Sequence, residues 1–104
     1  MKMANDKILS MIGLAKRANK VSTGEFICKK AIKSGMAKLA ILAVDASENT
    51  KKSILNSCNY YKVNSVECAD MESLGKYSGG GERAVVTIND INLSNAIIKL
   101  INNA

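Results

Sequence analysis

The sequence predicts an α/β fold in which a four-stranded sheet carries helices on both faces. Segments with apolar residues at helical spacing alternate with short β-rich runs along the whole chain. The run Leu39-Ala40-Ile41-Leu42-Ala43-Val44 is apolar throughout, as a strand is when both faces of its sheet are covered. There is no proline, linker, low-complexity tract or internal repeat, so the 104 residues read as one domain. Apolar residues make up 47% of the chain, enough for a core without disulfides or a metal.

The elements follow in order. The first helix is expected from an Asn5/Asp6 cap to about Arg17, because Ile8, Met11, Ile12 and Ala15 recur at helical spacing. Gly13 weakens it by about 1 kcal/mol relative to alanine. Val21-Ser22-Thr23 is a short strand, and Gly24 opens a second helix that stops at Gly35, with Ile27, Cys28, Ala31 and Ile32 as its buried stripe. Leu39 to Val44 is the central strand. Ser47 caps a third helix whose stripe Ile54, Leu55, Cys58 and Tyr61 faces inward while Lys51, Lys52 and Asn56 meet solvent. Val63 to Cys68 is a strand, Met71 to Tyr77 a short helix capped by Asp70, Ala84 to Ile88 a buried strand, and Ile91 to Asn102 the last helix.

Cys28, Cys58 and Cys68 are odd in number, widely spaced and set in apolar segments, which predicts reduced core residues. No run approaches the roughly 20 apolar residues of a membrane span. Residues Met1 to Lys7 lack the apolar core of an export signal. The expectation is a cytoplasmic protein without membrane association.

Fifteen Lys and Arg against nine acids leave a net charge of +6, which favours polyanionic partners or serves solubility alone. Placement sharpens the choice. On the second helix Phe26, Lys29, Lys30 and Lys33 share one face at i, i+3, i+4 and i+7, so the only Phe stands among ammonium groups. Such a face suits unpaired bases and phosphates; alternatively Phe26 folds back over the helix start and the lysines are ordinary solvated charges. The free N–H groups at Gly24, Glu25 and Phe26 can receive a phosphate. Lys16, Arg17 and Lys20 precede them, as a basic approach or as cations offsetting a helix dipole.

Ser78-Gly79-Gly80-Gly81-Glu82-Arg83 is a second unusual segment, expected to be a mobile loop with little side-chain cover. It is not a nucleotide-hydrolysing P-loop, because Gly81 and Glu82 stand where Lys and Ser/Thr are required and the strand follows the loop. Histidine is absent, and no paired carboxylates, Ser/Lys dyad or zinc-ligand cluster stands out. No enzyme activity, metal or cofactor is expected.

Five groups of residues carry a family likeness: Leu14-Ala15-Lys16-Arg17-Ala18, Ser22-Thr23-Gly24-Glu25, Gly35-Met36-Ala37-Lys38-Leu39-Ala40-Ile41-Leu42 with Asp45-Ala46-Ser47, Asn59-Tyr60-Tyr61-Lys62-Val63, and Leu74-Gly75-Lys76. In this order and at these separations the chain resembles the ribosomal L7Ae and L30e group, and most of all its bacterial YlxQ-type members. The resemblance spans nearly the whole chain. It implies a three-layer α/β/α sandwich with a four-stranded mixed sheet that binds RNA kink-turns through the start of the second helix and the loop before the last strand. Gly24 matches the motif glycine and Lys30 the phosphate-contacting lysine. Phe26 and Ile27 replace the polar pair that reads sheared G·A base pairs in the usual kink-turn binders, and the triple glycine replaces small apolar residues.

The combined reading is a monomeric RNA-binding protein, associated with ribosomal or other structured RNA and possessing no catalytic activity. Its expected RNA contacts are Gly24, Glu25, Phe26, Lys29, Lys30, Lys33, Ser78, Gly79, Gly80, Gly81, Glu82 and Arg83. The alternative is a protein-interaction module of the same fold whose basic face meets an acidic partner.

Overall fold

In the computed structural model, which describes residues 2–103, alternate side chains of Leu39–Leu42 enter two separate cores. Leu39 and Ile41 join Ile8, Ile12, Leu74, Val86, Ile88 and Ile97. Ala40 and Leu42 join Cys28, Ile32, Ile54, Cys58 and Val85 on the other side. The period-2 geometry of a strand therefore divides one apolar run between two layers of helix.

The elements are α1 (Lys2–Arg17), β1 (Val21–Thr23), α2 (Glu25–Ser34), β2 (Leu39–Leu42), α3 (Glu48–Tyr61), β3 (Asn64–Glu67), α4 (Met71–Ser78), β4 (Val85–Ile88) and α5 (Ile91–Asn102). The sheet order is β1-β4-β2-β3, with β2 and β3 parallel and the β1–β4 and β4–β2 pairs antiparallel. Helices α1, α4 and α5 cover one face, α2 and α3 the other, giving the three-layer α/β/α sandwich with a mixed sheet. Ser47, Asp70 and Asp90 cap α3, α4 and α5 by accepting the N–H of Thr50, Ser73 and Leu93. The amide and hydroxyl of Ser73 hold the Asp70 carboxyl below its ordinary value.

Several boundaries differ from the sequence reading. Helix α1 begins at Lys2, so Asn5 and Asp6 lie inside it and do not cap it; Lys2, Met3 and Ala4 are good helix formers that extend the first turn. Strand β2 ends at Leu42, because the Val44 N–H turns away to the Ala69 carbonyl at 2.9 Å and leaves Val44 exposed. Strands β3 and β4 each lose their expected outermost residues. Ile27 is half exposed, not buried, since β1 beneath it is a three-residue edge strand with nothing beyond it to cover that side. On α3 only Ile54 and Cys58 are fully inward, one turn apart, while Leu55 is on an exposed shoulder and Tyr61 faces α2, partly exposed.

Candidate nucleic-acid interface

Strand pairing decides which loops meet. Strand β1 ends with Thr23 opposite Val86, and β2 ends with Leu42 opposite Val85. The β1–α2 turn, the β2–α3 turn and the loop entering β4 therefore share one end of the sheet. Backbone bonds tie them: the Gly24 N–H donates to the Val85 carbonyl at 3.4 Å and the Ala43 N–H to the Ala84 carbonyl at 2.8 Å.

Gly24 has φ 88° and ψ 147°, a conformation close to the region that essentially only glycine adopts. It turns the chain from β1 into α2 in one residue. A Cβ there would meet nothing within 4 Å, and no side chain caps the helix. The Gly24 N–H, expected to be free, is taken by Val85 across the sheet end, so the donors left for an anion are the first-turn amides of Glu25 and Phe26, with the partial positive charge of a helix N-terminus behind them. The Glu25 carboxylate turns aside and accepts the Thr50 hydroxyl at 3.1 Å, joining α2 to the start of α3. Cys28 anchors the same turn from beneath, its thiol donating to the Ser22 carbonyl at 3.3 Å, and burial pushes its pKa up to about 12.

Residues 79–83 run back along α4 from its C-terminus, beside Lys16, to this end, and the structure does not leave them free. The Gly80 N–H donates to Gly75 at 2.9 Å and the Arg83 N–H to Met71 at 3.0 Å, folding the loop back along α4. Gly75 permits this, because a Cβ there would stand 1.9 Å from the Gly81 carbonyl oxygen. Ser78, expected at the RNA surface, is only 3% exposed; it is the last residue of α4, and its hydroxyl donates to the Leu74 carbonyl at 2.6 Å. Gly79, Gly80, Gly81 and Glu82 are exposed. Arg83 folds along Gly80, with Nη2 2.8 Å from the position of a Cβ there and its Nε buried without a partner among the described residues. Lys16 reaches the same loop, its Cε lying 2.8 Å from where a Cβ would stand on Gly79.

Phe26 is 73% exposed, which selects the open reading of its ring over the folded-back one. The Lys30 Nζ sits 5.6 Å from the ring centroid, and the Lys29 Nζ donates to Ser53 Oγ at 2.8 Å. Among the described residues the one ion pair is Lys51–Glu67, so no carboxylate neutralises Lys29, Lys30 or Lys33. Sequence reasoning had missed Ser57 and Tyr61, which line a groove of about 340 Å³ with Phe26 and these lysines. The pairing of α3 with α2 supplies them, and only the exposed Tyr60-Tyr61 at the end of α3 hinted at it.

Residues 6–98 match the model of the ribosomal protein L7Ae/L30e/S12e/Gadd45 family. The chain belongs to this family. It is 41% identical over 91 residues to the RNA-binding protein YlxQ of Bacillus subtilis (strain 168), covering 88% of this chain and 91% of that protein. It is 46% identical over 57 residues to RNA-binding protein YlxQ of Enterococcus faecium, 55% of each chain. A solved structure of a Bacillus halodurans protein of unknown function superposes with a TM-score of 0.88 at 36% identity, covering 92% of this chain and 97% of that one. The Giardia lamblia 15.5kD RNA binding protein superposes with a TM-score of 0.80 at 18% identity, covering 97% and 87%, and shares the fold. In this L7Ae-family chain, Gly24–Lys33 begins at the sheet end where the other segment picked out by the sequence, Gly79–Arg83, arrives as it enters β4.

Proposed function

We propose that this chain is a one-domain, non-catalytic RNA-binding protein that grips structured RNA, ribosomal RNA among the candidates, with the sheet end formed by Gly24 and residues 79–83. The observation that carries this reading is the pairing of open backbone with unneutralised cations. Gly24 and Gly79–Gly81 let a phosphate approach the main chain, Lys16 and Arg83 lie against Gly79 and Gly80, and Lys30 lies over Phe26, none of the three with a carboxylate partner among the described residues. The relatives named as RNA-binding proteins support the same reading.

Binding proceeds by phosphate neutralisation at the α2 N-terminus and on Lys29, Lys30, Lys33 and Arg83, with bases stacking on the exposed Phe26 ring. A kink-turn is the natural first target. Phe26 and Ile27, both exposed, offer no side-chain donor or acceptor to guanine edges, so backbone shape dominates over base readout. The protein works as a monomer in the cytoplasm, where its three free cysteines suit a reducing compartment.

Fluorescence anisotropy with a kink-turn RNA, and with the same RNA after replacement of its G·A pairs, tests this. The expected result is salt-sensitive binding of both, within about tenfold of each other. Absence of binding to either RNA, with tight binding to an acidic polypeptide, would overturn the RNA reading.

A further inference from the structure

From the sheet end the RNA face runs on into the groove between α2 and α3, where Ser57 and Tyr61 join Phe26 and the α2 lysines. The groove is open and about 340 Å³ in volume, at the lower end of the roughly 300–1,000 Å³ typical of small-ligand sites. Phe26 and Tyr61 bring aromatic surface to it, and Lys29, Lys30 and Lys33 bring charge. Tyr61 remains 39% exposed, and its ring is held edge-on by Tyr60 with centroids 4.8 Å apart. The Lys29–Ser53 bond fixes one ammonium group at the groove, while Lys33 lies about 10 Å along the helix axis from Phe26.

We infer that this groove takes a short unpaired RNA segment flanking the structured element, its bases against Tyr61 and Phe26 and its phosphates on Lys29, Lys30 and Lys33. The inference rests on the RNA reading above and adds a second contact to it. Charge decides the occupant: three cations without acidic partners among the described residues fit a phosphate backbone. Aromatic faces with few fixed polar groups suit bases of any identity, so the subsite has little sequence preference. Continuity matters too, because Phe26 lies two residues from Gly24 and the groove opens where the RNA is gripped.

The probes are an oligouridylate of about ten nucleotides, a kink-turn RNA, and the same RNA with an unpaired uridine extension. The chain has no Trp and three Tyr, so tyrosine quenching that disappears in Tyr61→Ala reports the stack. The extension should tighten binding; Tyr61→Ala should remove that gain, a loss of about 5- to 150-fold, and weaken oligouridylate binding comparably. Tyr61→Phe should keep the affinity, and neither variant should move the urea midpoint much. If the plain kink-turn RNA binds but the extension adds nothing, the groove assignment fails and the sheet-end reading stands. If none of the RNAs binds, both fail. Equal losses in Tyr61→Ala and Tyr61→Phe with a lowered midpoint would make Tyr61 structural, and poly-glutamate binding as tightly as oligouridylate would show a general anion surface; either result overturns the inference.

Discussion

Gly75→Ala should destabilise the protein although it places a better helix former inside α4. The gain from propensity is about 1 kcal/mol. Against it, the new Cβ would stand 1.9 Å from the Gly81 carbonyl oxygen and 2.6 Å from its carbon. Ordinary contact begins near 3.4 Å, so the loop backbone must retreat by about 1.5 Å. The obstacle is main chain, which cannot swing aside as a lysine tip would. Overpacking of this kind costs about 1–3 kcal/mol. The Gly80-to-Gly75 and Arg83-to-Met71 bonds hold the moving segment, and losing them costs about 0.5–1.5 kcal/mol each. A net loss of about 1–5 kcal/mol is expected in urea unfolding, with RNA affinity falling because Arg83 moves with the loop. An unchanged or raised midpoint would refute the packing of residues 79–83 on α4. A lowered midpoint with unaltered affinity would remove the loop from the interface.

Phe26→Ala should lower stability by less than about 1 kcal/mol, since the ring is already in solvent, and weaken RNA binding by about 1–3 kcal/mol; a loss of stability near the 3–5 kcal/mol of a buried phenylalanine would contradict its exposure. The logarithm of RNA affinity should fall steeply with the logarithm of salt, with roughly three to five counterions released by Lys29, Lys30, Lys33 and Arg83, and a flat plot would exclude phosphate neutralisation. Burial raises the Cys28 thiol from 9.0 to about 12, so the folded state favours the neutral form. The stability this contributes is complete below the ordinary thiol value and is lost as pH rises from 9.0 toward 12, so urea midpoints should drop less steeply there in Cys28→Ala.

Much of this was legible in the residues themselves. The run Leu39–Val44 announced a strand covered on both faces, and Ser47, Asp70 and Gly35 marked helix ends that the structure retains. What failed was the width of the buried stripes. Helical spacing places Ile27 beside Cys28 and Leu55 beside Ile54, but how far a helix sinks depends on the sheet beneath it. Strands β1 and β3 are edges, so the helices above them keep an open shoulder. The glycine run misled for a related reason. Sequence composition suggests mobility, whereas the missing Cβ on Gly75, several residues upstream, lets that loop lie flat on α4. Helical period alone puts Tyr61 on the inward stripe, and only the pairing of α2 with α3 turns it into a groove wall.

Amide shift mapping of the isotopically labelled protein titrated with a kink-turn RNA tests the central claim most directly. The account predicts that the largest changes fall on Gly24 to Lys30 and on Gly79 to Arg83, the loop that runs along α4 to the same sheet end, with Lys16 beside Gly79. Changes concentrated instead on the α1–α5 side, around Lys7, Ser10 and Leu100, or no changes at all, would contradict it.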